Sequence, residues 1–272
     1  MIILVTGASS GIGYESAILL AQKGHKVYGA ARRMDRMDPL KQYGIVPVSL
    51  DVTSEESMQA CVSRILSEEG RLDVLVNNAG YGYFGAIENV SMDEARRQLE
   101  VNVFGLARLT QLVLPSMRKQ GFGRIVNVGS VAGRTVLPFG GWYHVSKYSV
   151  EALSDSLRME LKPFGIDVAL VEPGGIGTDW GIIAADNLEK SSTGTPYSVP
   201  AAREARLMRL AYGGRYLARP ACVSRAIGKA ATARHPRHRY HPGTGARLLL
   251  GLHAILPAHW WDALMRLVLT SF

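Results

Sequence analysis

Apolar positions along the chain follow two alternating periods. Short β-branched or apolar runs, bounded by turn residues, occur at 2–6, 26–30, 45–50, 72–76, 124–128, 166–171 and 239–241. Their length and continuous apolar character predict buried strands. Between them lie segments with apolar residues at helical intervals: Ile12, Ala17, Leu19, Leu20 and Ala21 first, then 54–69, 92–120, 143–163 and 220–232. Such alternation predicts an α/β fold, with a doubly wound parallel sheet of about seven strands and helices on both faces. From 179 to 220 the alternation stops. Ser191 to Pro196 has loop composition, and 180–188 and 201–212 could form short flanking helices. An insertion after a strand's C-terminal end is where a substrate loop or lid belongs. The tail is amphipathic, with Leu256, Trp260, Trp261, Leu264, Leu267 and Val268 as its apolar positions. Nothing repeats and no linker interrupts the pattern, so 1–272 is expected to be a single domain.

Composition narrows the class. With 272 residues, 47% hydrophobic and 20% charged, the chain can bury a full core. Met1 runs straight into the first strand, which points to no secretory leader and a cytoplasmic location. No stretch reaches the ~18 uninterrupted apolar residues a membrane span requires. Cys61 and Cys222 are the only cysteines and are far apart, so reduced thiols and no metal site are expected. The net charge of +8 is uneven: residues 203–247 carry eleven Lys or Arg against Glu204 alone. That segment lacks a nucleic-acid motif. A solvated face, or one serving an anionic ligand or partner subunit, is expected, with no nucleic acid bound.

Candidate chemistry sits at strand ends. Gly7-Ala8-Ser9-Ser10-Gly11-Ile12-Gly13 joins the first strand to the first helix. In such a βαβ unit Gly7 permits the turn, Gly11 lets a pyrophosphate approach, and Gly13 lets the helix pack closely. The helix N-terminus then offers N–H groups to phosphates. After the second strand stand Arg32 and Arg33, where an acid would suit a ribose 2′-hydroxyl and arginine suits a 2′-phosphate. NADP(H) is therefore favoured over NAD(H). Asp51 either accepts from an adenine amino group or caps the next helix. Asn77-Asn78-Ala79-Gly80 either lines a ligand crevice or ties strands together. Ser130 follows the fifth strand, and Asn102 lies within an apolar helical face, where burial would demand hydrogen-bond partners. Tyr143 and Lys147 are four residues apart, hence on one helical face. A nearby ammonium would favour the ionised phenol and fit it for proton transfer.

Taken together these motifs resemble the short-chain dehydrogenase/reductase family over most of the chain. Thr6 to Gly13 is similar to its cofactor loop, Asn77 to Gly80 to its sheet-stabilising motif, and Asn102, Ser130, Tyr143 and Lys147 to its catalytic tetrad. Pro173, Gly174, Ile176 and Thr178 resemble its nicotinamide-binding turn. The resemblance implies a Rossmann-type fold and an alcohol–carbonyl oxidoreductase. Tyr143 would exchange the proton, Lys147 would bond the nicotinamide ribose and lower the tyrosine pKa, Ser130 would orient the substrate oxygen, and Asn102 would hold a water relay. The implied cofactor contacts are Gly7, Ser9, Ser10, Gly11, Ile12, Gly13, Arg32, Arg33, Asp51, Val52, Asn78, Ala79, Gly80, Tyr143, Lys147, Pro173, Gly174, Ile176 and Thr178.

Asn78 to Gly85 and Tyr28 to Arg33 resemble the 17β-hydroxysteroid and retinol dehydrogenase subgroup. That implies a lipophilic alcohol or carbonyl, walled by Tyr81, Val131, Leu137, Phe139, Trp142 and Trp180, each of which could equally be core. Many NADP-preferring members also place a basic residue in the glycine loop. Here Ser9-Ser10 stands there, so cofactor preference rests on Arg32 and Arg33. Family members assemble as dimers or tetramers through the helices that carry Asn102 and Tyr143. Two other readings share the fold: a non-catalytic dinucleotide-binding regulator, disfavoured by the presence of Tyr143 and Lys147, and a protein whose Trp-rich tail touches a membrane surface.

Overall fold

The computed structural model describes residues 1–214 and 216–270; Arg215 of the basic segment and the Val268 side chain of the tail lie outside the described residues. Among the described residues seven strands are formed: β1 (Ile2–Thr6), β2 (Lys26–Ala31), β3 (Val46–Ser49), β4 (Val74–Asn77), β5 (Gly123–Val128), β6 (Ile166–Val171) and β7 (Arg239–Tyr240). They pair in the order β3-β2-β1-β4-β5-β6-β7, every neighbour parallel. The sheet reverses its winding between β1 and β4, so the C-terminal ends of those two strands flank a crevice, the usual ligand position in such sheets. Leu72 was expected to begin β4. Its N–H and C=O are bonded instead by the Gln120 side chain, which leaves the ladder to start at Val74.

The helices are α1 (Gly11–Gln22), α2 (Glu55–Glu69), α3 (Met92–Leu99), α4 (Gly105–Gln120), α5 (Gly141–Leu161), α6 (Trp180–Ser192), α7 (Ser198–Gly213), α8 (Ala221–Thr232), α9 (Ala246–Ile255) and α10 (Ala258–Thr270). Because side chains alternate along a strand, Ile3 and Val5 of β1 enter one core with α1 and α8. Leu4 enters the other, which α2 and α4 cover. The helical pattern expected from 92 to 120 is interrupted: Glu100–Phe104 forms a π turn with Asn102 at its centre. Such turns recur at functional sites.

The two short helices expected within 179–220 are formed and run longer than expected, so the segment is mainly a helical hairpin. Ala184, Ala185 and Leu188 of α6 meet Ala201, Ala205 and Met208 of α7, and these small residues let the two helices approach closely. Ser192 ends α6, its carbonyl accepting from Thr195 and Ser198 hydroxyls at 2.8 and 2.7 Å. The loop-like composition thus contracts to a short turn. Among the described residues no helix is long and apolar enough to cross a membrane.

Candidate active site

The glycine loop is shaped by backbone demands. Gly7 (φ +68°) and Gly11 (φ +56°) occupy the left-handed region, where a Cβ is strained. A Cβ on Gly13 would collide with the Gly7 carbonyl and the Asn78 amide nitrogen. Ser10 stands at the N-cap of α1 with no side-chain cap bond, and no acid lies in the first turn. The first N–H groups are therefore not spent on a capping side chain, and the positive end of the helix dipole adds to them. Ser9 and Ser10 each accept from Arg33 Nη2, at 3.1 and 3.3 Å, so this guanidinium sits over the loop. The charge of Arg32 acts instead on Asp51. A loop of free N–H groups beside a guanidinium fits a dinucleotide carrying a further phosphate.

Asp51 does not cap α2: Ser54 does, accepting from Ser57 N at 3.2 Å. Asp51 accepts from the N–H and hydroxyl of Thr53 at 3.0 and 2.8 Å. Burial opposes its ionisation, but those two bonds and Arg32 hold the carboxyl below its ordinary range. Val52 lies where α4 crosses closely, since a Cβ on Gly105 would meet the Val52 carbonyl. The amides of the Asn77-Asn78 pair tie strands together. Asn77 Nδ2 donates to Thr110 Oγ1 and Asn127 Oδ1, both at 3.0 Å, and Asn78 Nδ2 donates to the Thr6 carbonyl at 2.9 Å. The N–H groups of Asn78 and Ala79 both reach Thr6 Oγ1 at 3.0 Å, which fixes the β1–β4 crevice.

Asn102, Ser130, Tyr143 and Lys147 converge at the next strand ends. Asn102 is buried and fully engaged. Its Oδ1 accepts from Tyr81 N at 3.0 Å, and its Nδ2 donates to Tyr81 O at 2.8 Å and to Ser146 Oγ at 3.0 Å. Gly80 runs between Asn102 and Lys147: a Cβ there would lie 3.0 Å from Asn102 Oδ1 and 3.9 Å from Lys147 Nζ. Ser130 Oγ accepts from Ala132 N at 3.1 Å, and its hydroxyl favours the ionised form of the Tyr143 phenol. His144 locks the turn between them, with Nδ1 3.0 Å from the Ala132 carbonyl and Nε2 accepting from Leu137 N at 3.0 Å.

One electrostatic expectation is overturned. Lys147 Nζ lies 5.9 Å from the Tyr143 ring centroid and donates to the Val128 carbonyl at 3.0 Å. Burial pushes the Tyr143 phenol well above its ordinary value, with the Ser130 hydroxyl acting against it. The same burial pushes Lys147 down to about 8, opposed by Glu151. Here desolvation outweighs the attraction that the four-residue spacing suggested.

An aromatic cover closes over Tyr143. Trp180 packs 5.1 Å from its ring and Phe84 5.7 Å, while Tyr212 backs Trp180 at 6.0 Å. Trp180 and Phe139 join the apolar cluster around Tyr143. The other expected walls divide. Tyr81 donates to Glu94 Oε1 at 2.8 Å, and the Trp142 ring nitrogen is buried without a partner. Leu137 gives its N–H to His144. Val131 lines a separate apolar recess of about 200 Å³ with Gly174, Gly175 and residues of α9. Phe84 and Tyr212 were not singled out from the sequence, because nothing local marks them as neighbours of Tyr143.

The segment from Pro173 to Thr178 leaves β6 at the same edge. Gly174 donates to Pro242 O at 2.9 Å, Gly175 bridges Thr244, and Ile176 bridges Ala218. Val131 N bonds the Pro173 carbonyl at 3.1 Å and so joins this turn to the one carrying Ser130. Sequence reasoning also missed Glu151 and Glu172, buried acids beside the site. Their signal was faint: an acid closing the apolar run of β6, and another one helical turn beyond Lys147.

Comparison with known proteins agrees with this arrangement. A sequence profile described as short chain dehydrogenase matches residues 1–187. A probable short-chain type dehydrogenase/reductase, VdlC, of Helicobacter pylori is 36% identical over 97% of this chain and 96% of its own length. A 3-ketodihydrosphingosine reductase of Bacteroides thetaiotaomicron is 43% identical over 65% of this chain and 64% of its own. Retinol dehydrogenase 5 of Mus musculus is 33% identical over 98% and 88%. Among solved structures, a short-chain dehydrogenase from Streptomyces avermitilis superposes with TM-score 0.79 at 33% identity, covering 98% of this chain and 94% of the other. A serine dehydrogenase complexed with NADP+ superposes with TM-score 0.76 at 28% identity over 89% and 94%. Glycine loop, strand-end serine, Tyr143–Lys147 helix and family-wide likeness converge: the chain belongs to the short-chain dehydrogenase family and is an NAD(P)-dependent oxidoreductase.

Proposed function

We propose that the chain interconverts a lipophilic ketone or aldehyde and its alcohol, with NADP(H) as cofactor and Tyr143 as the proton carrier. The observation that carries this reading is a buried Tyr143 beneath the Phe84–Trp180 cover, with the Ser130 hydroxyl favouring its ionised form. An apolar enclosure suits an apolar substrate and excludes water from the proton transfer. Two relatives are named for such molecules, retinol and 3-ketodihydrosphingosine. Arg33 over the glycine loop, and the NADP+ complex among the structural neighbours, support the phosphorylated cofactor.

The residues that would hold the cofactor are Gly7, Ser9 to Gly13, Arg32, Arg33, Asp51, Val52, Asn78 to Gly80, Lys147, Pro173, Gly174, Ile176 and Thr178. When bound, the nicotinamide supplies the hydride that reduces the carbonyl carbon. Because burial keeps Tyr143 protonated at neutral pH, it is the acid form: its hydroxyl proton passes to the carbonyl oxygen, yielding the alcohol. Ser130 bonds that oxygen as negative charge develops. The Lys147 ammonium stabilises the phenolate that remains. Asn102 fixes the Tyr81 backbone and α5 relative to each other, and its place beside Lys147 suits a proton-returning relay. The alcohol is oxidised by the reverse steps.

The same reading takes 1–272 as one cytoplasmic domain that assembles as a dimer or tetramer. One observation favours a membrane-surface contact as well: Leu248, Ile255, Trp260 and Leu267 of α9 and α10 are 61–76% exposed. Pelleting with anionic liposomes, with and without salt, tests that contact. The central test is a screen of steroid, retinoid and small aromatic carbonyls, following NADPH and NADH absorbance. Tyr143→Phe should abolish turnover while leaving NADPH affinity nearly intact. Retained turnover refutes the assigned role.

A further inference from the structure

Behind the proton-carrying pair lies a buried ionic cluster that the mechanism above does not use. Glu151 sits one turn beyond Lys147 on α5 and is 8% exposed. Its Oε2 pairs with Arg239 Nη1 from β7. The same Nη1 reaches Glu172 Oε2 at 3.2 Å, and Arg239 Nη2 bonds Asp155 Oδ2 at 2.8 Å. Glu172 is fully buried directly before Pro173, with His241 Nε2 3.0 Å away. The second oxygens of both glutamates have no hydrogen-bond partner. Three carboxylates thus share one guanidinium, and a buried charge left partly uncompensated acts strongly on its neighbours.

Glu151 also packs beneath the turn that carries Ser130. A Cβ on Gly133 would lie 2.9 Å from Glu151 Cγ, and one on Gly129 3.6 Å from its Oε1. These two glycines bracket Ser130, and Lys147 is anchored to Val128, the residue before Gly129. We propose that Glu151 is a positioning residue for the reaction: it braces the Ser130 turn from behind and places a carboxylate one helical turn from Lys147. The inference rests on the reading of Tyr143 and Lys147 as the proton machinery.

The surrounding charges define how this works. Lys147, Asp155 and Tyr148 share α5 with Glu151. Glu172 faces it from the end of β6, Arg239 and His241 from β7 and its continuation, and Arg134 lies beyond the Ser130 turn. Burial pushes the Glu151 carboxyl up to about 7, with Arg239 opposing. Lys147 lies at about 8, held up by Glu151. Between these values both groups are charged, and the pair is complete. Below that interval Glu151 gains a proton and Lys147 loses its support; above it Lys147 itself deprotonates.

Glu151→Gln keeps the shape and removes the charge. The basic limb of the pH profile for NADPH-dependent reduction of a small aromatic ketone should move from about 8 to lower pH. The displacement should be about 1 pH unit, the low end for an opposite charge, because Arg239 already offsets part of Glu151. Glu151→Asp, which retracts the charge, should give an intermediate limb. Calorimetric melting of the chain alone reads the same groups without a substrate. Lys147 lies below its unfolded value of 10.5, so the unfolded chain binds the extra proton and stability rises with pH between about 8 and 10.5. In the Gln variant that rise should begin ~1 unit lower. Glu151 lies above its unfolded value of 4.5, so wild type loses stability from 4.5 to about 7, a loss the Gln variant should show only in the smaller part that Glu172 contributes.

Superimposed limbs and melting profiles for wild type and Gln overturn the proposal. So does a uniform loss of rate at every pH, which is the mark of a packing residue. Should the Gln chain fail to fold, the Asp variant decides, by a partly displaced limb or a coincident one. If Tyr143→Phe retains turnover, the underlying reading fails instead, while the melting series still reports the Lys147 charge.

Discussion

The two arginines after β2 are equivalent in sequence but not in the structure, and this separates their contributions to cofactor choice. Arg33 Nη2 is already held 3.1 and 3.3 Å from the Ser9 and Ser10 hydroxyls, so little rotamer freedom is lost when it meets a phosphate. A hydrogen bond to a charged group contributes about 1.5–3 kcal/mol. Arg33 is exposed, so solvent screening places its share at the low end, about 1.5–2 kcal/mol. At 1.4 kcal/mol per decade, Arg33→Ala should raise the NADPH Kd by about 10–30-fold. NADH, which lacks the 2′-phosphate, should shift by less than about twofold, within ordinary surface effects. Arg32 acts on Asp51 rather than on the loop, and an exposed charge without a fixed partner is worth about 0–1 kcal/mol. Arg32→Ala should therefore weaken NADPH by no more than about fivefold. Fluorescence or calorimetric titration of both cofactors at two salt concentrations measures these values, and the Arg33 effect should shrink as salt rises. Equal weakening of NADH and NADPH by Arg33→Ala, or stronger discrimination lost through Arg32→Ala, refutes the clamp.

Three further substitutions test the scaffold, two of them beneath the site. Gly13→Ala drives a Cβ into the Gly7 carbonyl and the Asn78 amide, and overpacking of this kind costs about 1–3 kcal/mol. Thermal melting should show that loss together with weaker NADPH binding. Gly251→Ala, in open space on α9, should instead be neutral or stabilising by up to ~1 kcal/mol. Asn102→Ala leaves the Tyr81 N–H and C=O without their partner, while the Ser146 hydroxyl keeps its bond to the Tyr143 carbonyl. With about 1–3 kcal/mol for each buried group left unmade, urea denaturation should report a loss of about 2–4 kcal/mol, and an unchanged midpoint refutes the bracing role.

Residues that act through backbone geometry were legible in the sequence. Gly7 and Gly11 stand where φ is positive, and Gly13 where two backbones meet, so each demand points to glycine whatever the rest of the chain does. The Tyr143–Lys147 spacing was legible for a similar reason, since helical period alone puts both on one face. What that local rule could not supply was the medium between them. Trp180 and Phe84 arrive from α6 and from the segment after β4, and the burial they impose reverses the expected shift of the phenol. The two helices of the α6–α7 hairpin were legible as short segments at 180–188 and 201–212, but not their full extent or their mutual packing, because alanine faces satisfy a helical interface without a strong hydrophobic period.

The Glu151–Glu172–Arg239 cluster shows the same limit more sharply. Arg239 bonds Glu151 and Glu172 across 88 and 67 residues of sequence, and no local pattern reports a contact at that separation. Its position in the fold is nonetheless a consequence of the parallel order. β7 pairs with the end of β6, so Arg239 meets Glu172 there, next to the turn that holds Pro173 and Gly174, and reaches Glu151 of α5. The doubly wound sheet therefore does more than present Ser130, Tyr143 and Lys147 along one edge. It also brings the last strand's arginine underneath that edge, where it governs the charge that Lys147 meets.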